Sequence, residues 1–218
     1  MTMNEFLKRS ICGLFIIIWI FFTMLYFPQL FVLTIIGAII EIRLFEWPQF
    51  AKHYPPLFFI YPLLSFLLII YLQLAGYKML NLLTFASCFI FDSSAYIFGK
   101  FFGKHKLVPK ISPGKTFEGT LGGFLILIAS YLAYLKFYLA IASFSSLLTI
   151  KNFLIPITIG LLAFLGDLFE SYLKRKSNLK DSGTILPGHG GLLDRFDSIL
   201  FVIVFIFLFK DYLIKIFK

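Results

Sequence analysis

Charged residues are scarce in this sequence. Only 14% of its 218 residues are Asp, Glu, Lys or Arg, whereas 60% are hydrophobic and 20% are aromatic. A soluble domain of this size needs more polar residues to cover its surface. The composition therefore excludes a soluble globular protein. Long apolar runs, in place of short alternating segments, predict an all-α, polytopic integral membrane protein.

Cysteine and histidine are also rare. The chain has two cysteines and three histidines. Cys12 and Cys88 both lie in apolar runs and form no C-x-x-C pair. These numbers argue against a disulfide framework and against a zinc site built from Cys or His. Internal repeats and low-complexity tracts are absent as well, so the chain is predicted to form one membrane-embedded unit.

Several apolar runs approach the roughly 20 residues that a helix needs to cross a bilayer. A shorter run at 137–150 is rich in Ser and is predicted to be less than a full span. The sequence thus predicts about seven to eight transmembrane helices. The candidate spans are Ile11–Phe27, Leu30–Leu44, Leu57–Leu74, Leu80–Phe98, Thr120–Leu135, Phe153–Phe169 and Ile199–Phe217.

The formal net charge of +9 lies in short loops between these runs. In a membrane protein such charges report topology and attraction to anionic head groups, so they do not indicate a nucleic-acid partner. Basic residues concentrate in 100–115 and 174–180. The positive-inside rule therefore predicts two polar loops on the cytoplasmic side.

Two carboxylates lie in apolar surroundings. Asp92 falls inside a candidate span and Asp167 near the end of another. An unpaired carboxylate in hydrocarbon costs at least ~2.5 kcal/mol, so such residues usually face a polar cavity or a partner. For Asp92 a structural and a functional role remain equally open. The polar residues that follow Asp167 favour function there.

The first polar loop contains Ser112, Lys115 and Thr116 around a Pro113-Gly114 turn. A Walker phosphate loop would need Gly at position 109, which is Pro109. The sequence thus excludes that fold. A turn with exposed N–H groups beside Ser, Thr and Lys still suits a phosphate. An ordinary basic loop at the membrane surface is the competing interpretation.

The second polar loop, Ser171–Asp197, is the most polar part of the chain. Asp194 and Asp197 are three residues apart, on one face of a predicted helix, and they repel unless a cation lies between them. Mg²⁺ takes carboxylate and phosphate oxygens, and Asp167 is a third candidate ligand. Gly190 and Gly191 beside His189 permit close approach to a ligand. The same run contains Ser171 and the cations Lys174, Arg175 and Lys180.

Four-residue spacings before this run also bring side chains together. Asp167 and Ser171 share one face of a predicted helix, and Glu170 and Lys174 do likewise.

The run S-x-x-K-R-x-x-x-x-K-D-x-G-x-x-L-P-G-H-G-G-x-x-D-R-x-D, from Ser171 to Asp197, resembles the signature of the phosphatidate cytidylyltransferases, or CDP-diacylglycerol synthases. D-x-x-A-Y-x-x-G-K-x-x-G-K from Asp92 and S-P-x-K-T-x-E-G-x-x-G-G from Ser112 resemble the same family. Together these motifs cover about the C-terminal 60% of the chain. On this resemblance 1–218 is a single domain, with N-terminal spans in 1–91 and a catalytic portion in 92–218.

The resemblance implies that CTP and phosphatidate give CDP-diacylglycerol and pyrophosphate with Mg²⁺. It implies a homodimeric, multi-pass enzyme of the cell inner membrane with its active site facing the cytoplasm. It assigns metal binding to three carboxylates, Asp167, Asp194 and Asp197, which with Lys174 and Arg175 form the catalytic set. It assigns substrate binding to Ser112, Lys115, Thr116, Ser171, Lys180, Asp181, His189, Gly190 and Gly191.

Other functions remain open at this point. A related CTP-dependent enzyme acting on a polyprenol, phytol or an archaeal ether lipid uses similar chemistry, and the sequence does not name the lipid tails. A transporter or channel explains carboxylates within spans. It does not explain two lysine-rich, glycine-containing loops on the same side. A purely structural membrane protein explains neither feature.

Overall fold

The structure is a computed structural model that describes residues 3–51, 54, 56–137, 149–185 and 190–216. It is mostly helical. A π-helical segment, Ile42–Glu46, joins the second and third helices, and a short 3₁₀ helix, Pro56–Phe59, precedes the fourth. The described α-helices are α1 Met3–Tyr26, α2 Pro28–Glu41, α3 Trp47–Ala51, α4 Ile60–Leu74, α5 Lys78–Phe102, α6 Phe117–Phe137, α7 Ile150–Lys176, α8 Leu193–Leu208 and α9 Lys210–Ile216.

Three of these helices, α5, α6 and α7, are long and apolar enough to cross a membrane. At 1.5 Å per residue, the 25 residues of α5 extend about 37 Å, which exceeds a hydrocarbon core of about 30 Å. Large apolar side chains such as Phe101 and Leu125 point outward and are more than half exposed. A bilayer is the environment in which such a surface is stable, so the chain is a membrane protein.

Two of the other predicted spans, the third and the last, are not single long helices. The 15 residues of α4 reach only about 22 Å. The predicted last span, 199–217, is divided between α8 and α9, and the charged Lys210 and Asp211 follow the break at Phe209. Most of the shorter run at 137–150 lies outside the described residues. The total of seven to eight spans therefore stays a prediction.

The first polar loop corrects the all-α prediction. It forms an antiparallel pair of strands, β1 Lys106–Val108 and β2 Ser112–Thr116. Val108 pairs with Ser112, and Lys106 pairs with Thr116. The predicted turn at Pro113-Gly114 was wrong, because both residues lie within β2. The hairpin leads directly into α6 and fixes the position of Lys115.

The core lies where α4, α5, α7 and α8 meet. Buried aromatic and aliphatic residues fill it, including Phe66, Phe91, Phe196 and Ile203. The rings of Phe66 and Phe196 pack edge to face with centroids 5.0 Å apart. This ring pair holds the beginning of α8 against α4.

Candidate active site

Lys174 on α7 contacts two carboxylates. Its Nζ lies 2.5 Å from Asp194 Oδ1 and 3.4 Å from Glu170 Oε2. Asp194 Oδ2 accepts hydrogen bonds from the N–H groups of Ser182 and Gly191, both at 2.9 Å. Burial alone would raise the pKa of Asp194, but the Lys174 ammonium and these N–H donors outweigh burial and hold that pKa below its usual value. Asp194 is therefore a carboxylate at neutral pH.

Asp167, about two turns before Lys174 on α7, also has a lysine partner. Its Oδ2 lies 2.5 Å from Nζ of Lys115, which the hairpin supplies. Its Oδ1 accepts a hydrogen bond from the Ser171 hydroxyl at 3.2 Å, as the four-residue spacing predicts. Lys115 also lies over the Phe164 ring, 4.7 Å from its centroid. The two polar loops of the sequence therefore meet at Asp167.

Asp197 and Asp92 are brought together through Ser198. The Ser198 N–H donates to Asp197 Oδ1 at 2.7 Å, and its hydroxyl donates to Asp92 Oδ2 at 3.0 Å. Both carboxylates interact electrostatically with Asp167. Close packing makes this possible, since a Cβ on Gly166 would lie 2.5 Å from the Asp197 carbonyl oxygen. The sequence left the role of Asp92 open, and the structure places it beside the predicted acidic residues.

Arg175 links the two polar loops. Its Nε donates to the Ile111 carbonyl in the hairpin, and Nη1 donates to the Leu179 carbonyl beyond α7, both at 3.1 Å. Thr116, by contrast, is 3% exposed, and its hydroxyl accepts a hydrogen bond from the Gly119 N–H. It caps the beginning of α6. Ser112 lies in β2, paired with Val108.

The remaining predicted residues follow α7. Lys180 and Asp181 are exposed. Gly190 has a φ of +80°, which favours glycine, and it lies against the Asp194 carboxylate. Gly191 donates its N–H to Asp194. The predicted binding residue His189 lies outside the described residues.

Three further polar residues at this site were not among the predicted site residues. Glu46 and Glu170 are almost completely buried, and Ser182 is fully buried. Glu170 contacts Lys174, and the i, i+4 spacing on α7 already indicated that pair. Glu46 lies in an aromatic run far from the polar loops, and no feature of the sequence connects it to them.

A cavity of about 680 Å³ adjoins the acidic residues. Its lining combines Asp92, Asp194 and Asp197 of α5 and α8 with apolar side chains of α1 and α2, among them Trp19 and Ala38. The lining is polar near the carboxylates, where Arg195 and Ser198 also contribute, and mostly apolar elsewhere. Such a lining suits an amphipathic ligand with an anionic head, provided that cations neutralise the carboxylates.

The carboxylate oxygens at this site are of the ligand type that Mg²⁺ prefers. Among the described residues, no three His, Cys, Asp or Glu side chains converge as ready metal ligands. Mg²⁺ commonly binds through one or two carboxylates together with waters and substrate phosphates, so a complete protein cage is not required. Asp167, Asp194 and Asp197 supply carboxylate oxygens, and Lys115 and Lys174 contact two of them.

The fold and the site define a helical membrane protein with acidic and lysine side chains gathered beside a partly apolar cavity. Comparison with known proteins agrees with that class. The sequence model of the cytidylyltransferase family matches residues 56–213. This match covers well over half of the chain, and the chain therefore belongs to the cytidylyltransferase family. The resemblance stated from the sequence motifs is confirmed.

Two named relatives are 45–48% identical to this chain over the aligned residues. The phosphatidate cytidylyltransferase of Rickettsia conorii is 45% identical over 139 residues, which are 62% of this chain and 60% of that protein. The phosphatidate cytidylyltransferase of Staphylococcus epidermidis is 48% identical over 122 residues, 56% of this chain and 45% of that protein. The chain thus spans about half the length of these relatives.

Proposed function

We propose that this protein transfers the cytidylyl group of CTP to phosphatidate, giving CDP-diacylglycerol and pyrophosphate. One observation carries the proposal: Lys115 and Lys174 each contact a carboxylate, Asp167 and Asp194, beside a cavity with an acidic and an apolar lining. Lysines on both polar loops are available to a triphosphate, and the apolar helices are available to acyl chains. The names of the relatives support the same reaction.

The reaction requires little proton transfer. A phosphate oxygen of phosphatidate attacks the α-phosphorus of CTP and forms a new P–O bond. The bond from that phosphorus to the oxygen bridging to the β-phosphate breaks, and pyrophosphate leaves with the electron pair. Because the attacking phosphate is already an anion, no strong base is needed. The protein has to position two anions and offset their repulsion.

The residues divide this work. Asp167, Asp194 and Asp197 are the proposed carboxylates for Mg²⁺, of which one or two would hold the ion together with phosphate oxygens, and the ion would supply charge neutralisation at the phosphates. Lys115 and Lys174 exchange their carboxylate contacts for phosphate contacts. Arg175 holds the hairpin against the segment after α7. Further substrate contacts are proposed for Ser112, Thr116, Ser171, Lys180, Asp181, His189, Gly190 and Gly191.

We also propose a location in the cell inner membrane and a homodimeric assembly. The basic loops support an active site facing the cytoplasm in the cell inner membrane. A homodimer is expected from the family resemblance, and the mass of the protein in detergent, measured by light scattering, tests it.

The substrate is tested with protein purified in mild detergent. The protein is incubated with Mg²⁺, CTP labelled at the α-phosphate, and one lipid phosphate at a time: phosphatidate, a polyprenyl phosphate or an archaeal ether-lipid phosphate. We expect label in the lipid phase with phosphatidate and none without Mg²⁺. Label with another lipid phosphate alone would replace the proposed substrate, and no label from folded protein with any lipid would favour a transporter.

A further inference from the structure

Glu46 lies outside the residues that match the family, yet its carboxylate contacts the site. It ends the π-helical segment Ile42–Glu46, in which the Trp47 N–H donates to the carbonyl of Ile42. A π-helical turn holds one residue more than an α-helical turn and changes which side chains face inward. Glu46 and Trp47 are each 1% exposed. The segment therefore carries a carboxylate into the interior.

Among the described residues, three N–H or O–H groups donate to this carboxylate, and the Glu41 side chain also interacts with it. Oε2 accepts from the Ser182 hydroxyl at 2.8 Å and from the Leu193 N–H at 3.0 Å, and Oε1 accepts from the Leu192 N–H at 2.5 Å. The N–H groups at the beginning of a helix have no partner within the helix and carry partial positive charge. Glu46 thus holds the beginning of α8, one residue before Asp194.

Ser182 extends this connection to the acidic residue itself. Its hydroxyl donates to Glu46 and accepts from the Asp194 N–H at 3.3 Å, while its own N–H donates to Asp194 Oδ2. Gly191 makes the arrangement possible, because a Cβ at that position would collide with Glu46 and Ser182. Displacing the Glu46 carboxylate therefore moves both the main chain and the side-chain partners of Asp194.

We propose that Glu46 is a positioning residue, which orients Asp194 and the first turn of α8 for cytidylyl transfer through Ser182 and the N–H groups of Leu192 and Leu193. The expected effect on turnover rests on the proposed function, cytidylyl transfer. Glu46 itself contacts no reacting group. A misplacement on the scale of 1 Å at a reacting centre lowers turnover by about 100-fold.

Glu46→Gln tests the proposal because it keeps the side-chain size but replaces one acceptor oxygen with an NH₂ group. That group cannot accept from the Ser182 hydroxyl or from the N–H groups of Leu192 and Leu193. We expect kcat to fall by about 100-fold, with the KM for CTP within about threefold of wild type. We also expect faster hydrogen–deuterium exchange, by mass spectrometry, in peptides covering 190–196, with no change in α6. Glu46→Asp, which keeps the charge, should restore part of kcat. Gln49→Ala, an exposed position on α3, should change neither measurement.

Unchanged exchange in 190–196, or a kcat within about twofold of wild type, would overturn the inference. The exchange measurement needs no substrate, so it decides the matter even if the wild-type protein transfers no cytidylyl group. If Glu46→Gln does not yield folded protein, Ser182→Ala removes one of the three contacts and takes its place. It should give about a tenfold loss of kcat and the same local increase in exchange, and wild-type values of both would overturn the inference.

Discussion

Lys174 Nζ and Asp194 Oδ1 lie 2.5 Å apart and join the end of α7 to the beginning of α8. The side chains are 11% and 7% exposed, so this pair is largely removed from water. Glu170 contacts the same ammonium, with Oε2 at 3.4 Å. One cation thus offsets two buried carboxylates, and its removal leaves both without their neutralising partner.

Lys174→Met should therefore reduce both stability and activity. Removing one partner of a buried pair costs about 3–5 kcal/mol, because the other charge remains buried. We expect a clearly lower midpoint in thermal unfolding in detergent and a loss of cytidylyl transfer. Lys176→Met, at an exposed position two residues along α7, is the matched control and should leave the midpoint within about 2 °C. Equal midpoints for the two variants would contradict the importance of the pair.

Asp197→Asn should abolish turnover while leaving the folded protein extractable. The substitution removes a carboxylate that interacts with Asp92 and Asp167 but preserves the size of the side chain. Turnover is measured as α-label entering lipid, and folding is measured by size-exclusion chromatography in detergent. Asp211→Asn, on α9, removes a carboxylate that is 80% exposed and should retain full activity. Near-normal turnover in Asp197→Asn would remove Asp197 from the metal site.

Gly166→Ala should separate α7 from α8 at the site. An added Cβ would lie 2.5 Å from the Asp197 carbonyl, which is main chain and cannot rotate away. We expect a loss of activity of about 10- to 100-fold. Gly160→Ala on the same helix meets the edge of the Phe124 ring, which can shift, so this variant should stay within about threefold of wild type. Equal activities would show that the close approach at Gly166 has no catalytic consequence.

Gly37→Leu should narrow the cavity that we assign to the lipid. In the part of the chain that the structure describes, no atom beyond the local backbone of α2 lies within 4 Å of a Cβ at Gly37, so the new side chain can occupy the cavity without distorting α2. We expect the apparent KM for phosphatidate to rise about tenfold, while the KM for CTP stays unchanged. Leu33→Phe enlarges an outward-facing residue of the same helix, 62% exposed, and serves as the control. A rise in the KM for CTP alone would instead assign the cavity to the nucleotide.

Local spacing was sufficient to predict part of the site. The four-residue separations correctly placed Ser171 beside Asp167 and Lys174 beside Glu170, since a helix fixes those neighbours. The hairpin was missed because Pro113 and Gly114 are typical of turns, and its pairing depends on tertiary context. Glu46 was missed for a different reason. Its partners are 136–147 residues away in sequence, and no periodic pattern records such a contact.

The most direct test of cytidylyl transfer compares CTP labelled at the α-phosphate with CTP labelled at the γ-phosphate, using wild-type protein, Mg²⁺ and phosphatidate. Our proposal predicts that α-label enters the lipid, that γ-label is released as pyrophosphate, and that Asp197→Asn stops both. Entry of γ-label into the lipid would indicate a CTP-dependent kinase and would contradict the proposed chemistry.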